Sequence, residues 1–322
     1  MNELSAVMTE PTAVDPRLVE WTPGPSLVLL PEAAAARAAI EAAGRALLAV
    51  PDGARLEAVW PWPGSTSEVE VRYGFYRIFE LLEAARAAAV SALVRSAALP
   101  APGGRLGSAA TVARWSLHGL LLPLTDAELD ADPGNREWTV RQTLGHMLQS
   151  QQFYGSFTAW WLTQAPTPAA IPPVDLTYAV PSEDELSAGS MSEVRARLDS
   201  LLDLAMARLG GLDETQVAVP ARWSGGEVTV GFRIGRWASH IREHTIQVEK
   251  TYVMLDRPMT EVERLVRLIF EAYGRLEETV FGLDASTAQP AAEVFAQAGA
   301  TVADLVPGIV EAAEANVALP PE

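Results

Sequence analysis

The chain has 322 residues, 49% of them hydrophobic, which is enough for one large or two ordinary cores. Its formal charge is −17 at pH 7, a field that repels phosphate backbones and argues against a nucleic-acid partner. It has no cysteine, which removes disulfides, thiolate metal sites and a cysteine nucleophile.

Residues 1–31 hold five prolines and little periodicity, and read as an extended N-terminal arm. They show neither the basic start nor the apolar run of a signal peptide. Apolar stretches such as HGLLLPL are too short to span a bilayer, so the expectation is a cytoplasmic protein with no membrane partner. Residues 32–99 read as a pair of helices, at 32–50 and, strongly amphipathic, at 67–98. LPAPGG at 99–104 breaks the pattern. Helices near 106–121, 139–164, 182–209 and 229–254 make a unit over 105–256, and two more, near 260–282 and 290–315, lie within 258–316. GEVTV at 226–230 is the one strand candidate. The fold class is all-α, a four-helix bundle with additional helices. Thr139 and Gln142 form a capping-box pattern behind Trp138, which would set the start of the helix carrying His146.

Two of the four histidines, His240 and His244, stand four residues apart. A helix puts them on one face, one turn apart, the spacing that offers two imidazoles to one metal ion. Such a pair alone is as readily a polar patch on a helix surface. His146, in the apolar run TLGHML, would supply a third ligand, and three imidazoles leave coordination positions open, as in catalytic sites. Without cysteine, such a site suits zinc, nickel or iron(II).

EWTVRQTLGHMLQSQQFYG, followed about 90 residues later by RWASHIREHTIQVEKT, resembles the DinB-like superfamily. The resemblance covers about 150 residues. It implies a four-helix bundle that binds a divalent metal through His146 and the pair His240 and His244. It also implies a small-molecule substrate, with mycothiol or bacillithiol as a thiol cofactor in an S-transferase, and a homodimer, unless a second bundle within the chain covers the dimer face and leaves a monomer. Two other classes share the ligand set: a non-catalytic metal-binding or regulatory protein, and a metal-dependent hydrolase.

HIREH also fits the H-x-x-E-H pattern of inverted zinc peptidases, with Glu243 as base, but that class needs an α/β fold and a distant acidic ligand. Arg236, one turn before His240, reads either as an anion receptor or as half of a local ion pair. Tyr154, two turns beyond His146, reads either as a hydrogen-bond donor in the cleft or as packing. These three are the catalytic candidates. His118 is expected in the core or behind the ligands, and Trp160 and Trp161 in the core. Ser224, Gly225 and Gly226 read as a turn.

Two stretches, 60–85 and 221–244, share tryptophan, glycine, Glu-Val-x-Val and then a helix. Aligning Glu68 with Glu227 sets Val71 against Val230, and Leu81 and Ala85 against His240 and His244. TVRQTLGHMLQ at 139–149 similarly pairs with TVADLVPGIVE at 301–311, with Gly308 facing His146. Coincidence between alanine-rich helices explains this. So does a second, degenerate bundle assembled from 32–99 and 258–316, with a metal-free centre packed by side chains.

Overall fold

A computed structural model describes residues 30–63, 67–163, 171–172 and 180–315. The arm expected over 1–31 lies outside them except for its last two residues. Among the described residues eight helices exceed ten residues: α1 (Pro31–Leu47), α2 (Val71–Arg95), α3 (Ala109–Leu121), α4 (Val140–Thr163), α5 (Met191–Leu209), α6 (Val230–Met254), α7 (Glu261–Glu278) and α8 (Ala292–Ala315).

The all-α expectation is met, with two local corrections. The helix expected from 67 begins at Val71, because Glu68–Glu70 is a strand, β2, paired antiparallel with β1 (Val59–Pro61). The polar–apolar alternation of Glu68, Val69 and Glu70 is a strand period, and Val69 alone of the three turns inward. The same hairpin recurs as β3 (Pro220–Trp223) and β4 (Gly226–Thr229). Its two-residue turn is Ser224-Gly225, both at positive φ, as a tight hairpin with right-handed twist requires. Each hairpin runs directly into a 25-residue helix, α2 or α6. The helix expected over 182–209 is interrupted. Gly189 sits at φ +96°, separating a short turn, Glu183–Ser187, from α5.

The buried apolar residues fall into two clusters. One draws on α3, α4, α5 and α6, and the other on α1, α2, α7 and α8. Helices before residue 100 thus pack against helices after residue 260. The two sets meet where α3 crosses α7. A Cβ on Gly119 would stand 2.8 Å from the Arg267 Cα, and one on Gly274 3.0 Å from the Val112 Cα, so both glycines permit a close backbone approach. The same residue offset relates Val112 to Arg267, Gly119 to Gly274 and Ser116 to Glu271. That last pair hydrogen-bonds at 2.6 Å, from Ser116 Oγ to Glu271 Oε1. Such a self-complementary contact is the pattern of helices related by a two-fold axis.

A buried charge cluster ties the seam. Arg114 on α3 donates to Asp203 on α5 at 2.7 Å and to Glu277 on α7. Arg37 on α1 donates to the same two carboxylates at 2.7 and 2.9 Å. Removing any one member leaves buried charge uncompensated.

The finer features of the expected repeat fit unevenly. Thr139 caps α4, but Thr301 lies inside α8, so those two helices do not start in register. Leu81 and Ala85 line an open groove of about 610 Å³ between α2 and α8 instead of a filled centre. Gly308 faces Trp60 instead of that groove.

Candidate metal centre

The capping box holds as read: Gln142 N donates to Thr139 Oγ1 at 3.2 Å and Thr139 N donates to Gln142 Oε1 at 2.9 Å. It starts α4 so that His146 faces α6 two turns in. α6 is started by Thr229, whose hydroxyl accepts from Phe232 N. Packing of α4 on α6 then brings His146 against His240 and His244, with ring centroids 5.6 and 4.9 Å away. One potential ligand atom from each of the three lies within 4.8 Å of the others. Among the described residues this is the one such group of histidine and carboxylate side chains.

Gly145 positions the group's outer support. A Cβ there would lie 2.6 Å from the Glu183 backbone oxygen, so only glycine lets the Glu183–Ser187 turn press onto α4. That turn is fixed by its own capping box between Ser182 and Glu185. Arg141 clamps it by donating to the Ser187 and Gly189 carbonyls. Glu183 Oε1 consequently accepts from His146 Nδ1 at 2.9 Å. On the other side, Gln247 Oε1 accepts from His244 Nδ1 at 2.8 Å. Both contacts favour the Nδ1–H tautomer and leave Nε2 with its lone pair directed inward, the state in which imidazole binds a metal.

His240 differs. Its Nε2 lies 2.9 Å from His244 Nε2, and its buried Nδ1 has no partner among the described residues. Two ring nitrogens this close need a proton or a cation between them. Burial first, then the neighbouring His244 and His146, push the His240 pKa down to about 3, and burial also lowers that of His244. Both imidazoles are therefore neutral at pH 7, as ligation requires. His146 is partly exposed, so the cluster is reached from solvent on its side. The donor set fits a divalent ion preferring nitrogen, with room for outside ligands.

Arg236 grips Glu243 through Nη1 and Nη2 at 2.7 and 2.9 Å, a local ion pair that spans two helical turns. Glu243 is thereby held as a carboxylate, its pKa lowered chiefly by that hydrogen bond. Tyr154 is buried, its ring 5.2 Å from that of His240, and burial raises its pKa to about 12. His118 lies apart from the cluster. Its Nε2 meets Asp199 at 2.8 Å and its Nδ1 accepts from Arg195 at 3.0 Å. Trp138, read only as a helix-start residue, stacks at a tilt on His146 with centroids 5.2 Å apart. Glu183, which no motif marked, is the missed partner of His146. Nothing in its local sequence distinguishes it from its acidic neighbours Asp184 and Glu185.

The sequence profile of the DinB superfamily matches residues 109–248, which span α3 to most of α6 and contain all three histidines. Over residues 109–248 the chain is thus similar to the DinB superfamily. A solved structure described as "YfiT from Bacillus subtilis is a probable metal-dependent hydrolase with an unusual four-helix bundle topology" is 20% identical, covering 63% of this chain and 98% of that one, with a TM-score of 0.33. No curated protein sequence matches the chain significantly. The DinB-superfamily segment ends six residues before α6 does, and α1, α2, α7 and α8 lie outside it. No helix among the described residues is long and apolar enough to cross a membrane.

Proposed function

We propose that the protein is a divalent-metal-dependent enzyme in which His146, His240 and His244 hold the ion, and that it transfers a low-molecular-weight thiol such as mycothiol or bacillithiol to an electrophilic small molecule. The observation that carries this reading is the convergence of three imidazoles, two of them oriented by Glu183 and Gln247. A bound zinc, nickel or iron(II) ion would lower the pKa of a thiol and hold its sulfur as a thiolate beside the electrophile.

The chain's own residues orient and enclose. Glu183 and Gln247 keep the two outer rings in the ligating tautomer. Tyr154 walls the inner side and keeps its proton at neutral pH. Glu183 and Glu243 are engaged with His146 and Arg236 respectively. On this reading the helices outside the family segment form a second, metal-free bundle derived by duplication. α7 covers the α3 face, giving one site per chain and a monomer.

Turnover assays test the reading. The purified chain, loaded in turn with zinc, nickel or iron(II), is offered thiol plus electrophile and, separately, simple esters. Thiol consumption that requires metal supports transfer. Ester cleavage without thiol consumption would establish a hydrolase, and no turnover with any bound metal would leave a binding protein.

A further inference from the structure

Arg233, on α6, is 3% exposed and has no carboxylate partner among the described residues. The other two buried arginines, Arg114 and Arg195, are each paired with carboxylates. In a chain with 41 acidic residues, a buried arginine without one is unusual. Its Nε donates to Thr158 Oγ1 at 3.1 Å and its Nη1 to the Arg222 carbonyl at 2.9 Å. Nη2 has no hydrogen-bond partner among the described residues. It is also not one of the sealed polar atoms, which leaves it facing the cavity that Arg233 lines.

That cavity has a volume of about 480 Å³, in the size range of small-molecule sites. Its walls include Phe153, Tyr154, Phe157, Trp161 and Trp223. The guanidinium carbon lies 4.5 Å from the Trp161 ring centroid, 5.4 Å from Trp223, and 6.0 Å from both Tyr154 and Phe157. These faces hold the cation without neutralising it. Burial lowers its pKa to about 10, so it stays charged at pH 7. The cavity also adjoins the histidines. Arg233 precedes His240 by seven residues, two turns along the same face of α6, or about 10 Å. Tyr154 bridges the gap, with its ring 4.9 Å from Trp223 and 5.2 Å from His240.

We propose that this cavity binds the carboxylate end of an elongated, flat organic substrate, with Arg233 Nη2 donating to the carboxylate and the aromatic walls enclosing the carbon skeleton. The other cation lining the cavity, Arg222, donates to the Gly225 carbonyl, and the single free nitrogen on Arg233 suits a monoanionic carboxylate better than a phosphate dianion, which wants several donors. The other end of such a molecule reaches the histidine cluster. That part rests on the proposed metal site, whereas the carboxylate pocket stands without it.

Calorimetry on the full, chelator-treated chain tests the pocket with no metal present. The probes are 3-phenylpropionate, its neutral amide and phenyl phosphate. The carboxylate should bind at least tenfold more tightly than either of the others, and Arg233→Gln should abolish that preference while the far-ultraviolet circular dichroism stays unchanged. Equal binding of amide and carboxylate by the unmodified chain would overturn the proposal without recourse to any variant. So would tighter binding of phenyl phosphate, or an Arg233→Gln protein that is folded and keeps the preference. Arg233→Lys, which retains the charge, should keep part of the preference if the glutamine variant fails to fold. A negative result here leaves the metal site standing, and a metal-free result for the histidines leaves this pocket standing.

Discussion

His240 Nε2 and His244 Nε2 lie 2.9 Å apart, one helical turn from each other and both facing His146. Replacing any one of the three by alanine should remove most bound metal, by at least a hundredfold in affinity, while helical content persists. Elemental analysis of the purified variants checks this. A His146→Ala chain that still holds one equivalent would remove α4 from the site.

Glu183 reaches His146 only because Gly145 admits the turn that carries it. Gly145→Val should displace that turn and, like Glu183→Gln, weaken metal binding by about 10–100-fold. Competition against a chromophoric chelator measures it. Matched losses in the two variants would show that the glycine acts through the glutamate. A Gly145→Val protein with unaltered affinity would show that it does not.

Much of this site was readable beforehand. The spacing of His240 and His244 and the Thr139–Gln142 box depend on contacts within one helix turn, which sequence periodicity encodes directly. Glu183 is brought to His146 from 37 residues away by a backbone approach at Gly145, and no periodicity reports that. Arg233 was within reach of the same helical reasoning, since it precedes His240 by two whole turns. A lone arginine, however, gives no sign in sequence of lacking a counter-charge, because that depends on the fold. The strands at 68–70 and 220–223 are hidden in the sequence because three or four alternating residues are too few to outweigh the long helices that follow.

Metal removal should destabilise the chain without unfolding it. An ion present at a hundred times its Kd adds about 2.7 kcal/mol by mass action. In a chain of this size that corresponds to roughly 5 °C in Tm. The two apolar clusters do not depend on the ion. Differential scanning calorimetry with and without chelator reads the shift, and loss of the transition on chelation would mean that the metal is structural.

Acid should act on the seam between the helix sets. Burial alone would raise the Glu277 pKa, but Arg37 and Arg114 hold it down, to about 2. Its unfolded value is near 4.5. A depressed carboxylate contributes its full stability above the unfolded pKa and loses it as pH falls towards the folded one. Tm should therefore drop between pH 4.5 and pH 2, beyond the loss due to net charge. Glu277→Gln should be less stable at pH 7 and show a shallower drop over that window. Parallel Tm curves for the two proteins would contradict this account of the seam.

The central claim is that three imidazoles from two helices share one ion. X-ray absorption at the metal edge of the zinc-loaded chain measures it directly. The account predicts one zinc per chain, with three imidazole nitrogens at about 2.0–2.1 Å. A spectrum showing only oxygen neighbours, or the same spectrum from the His240→Ala variant, would contradict it.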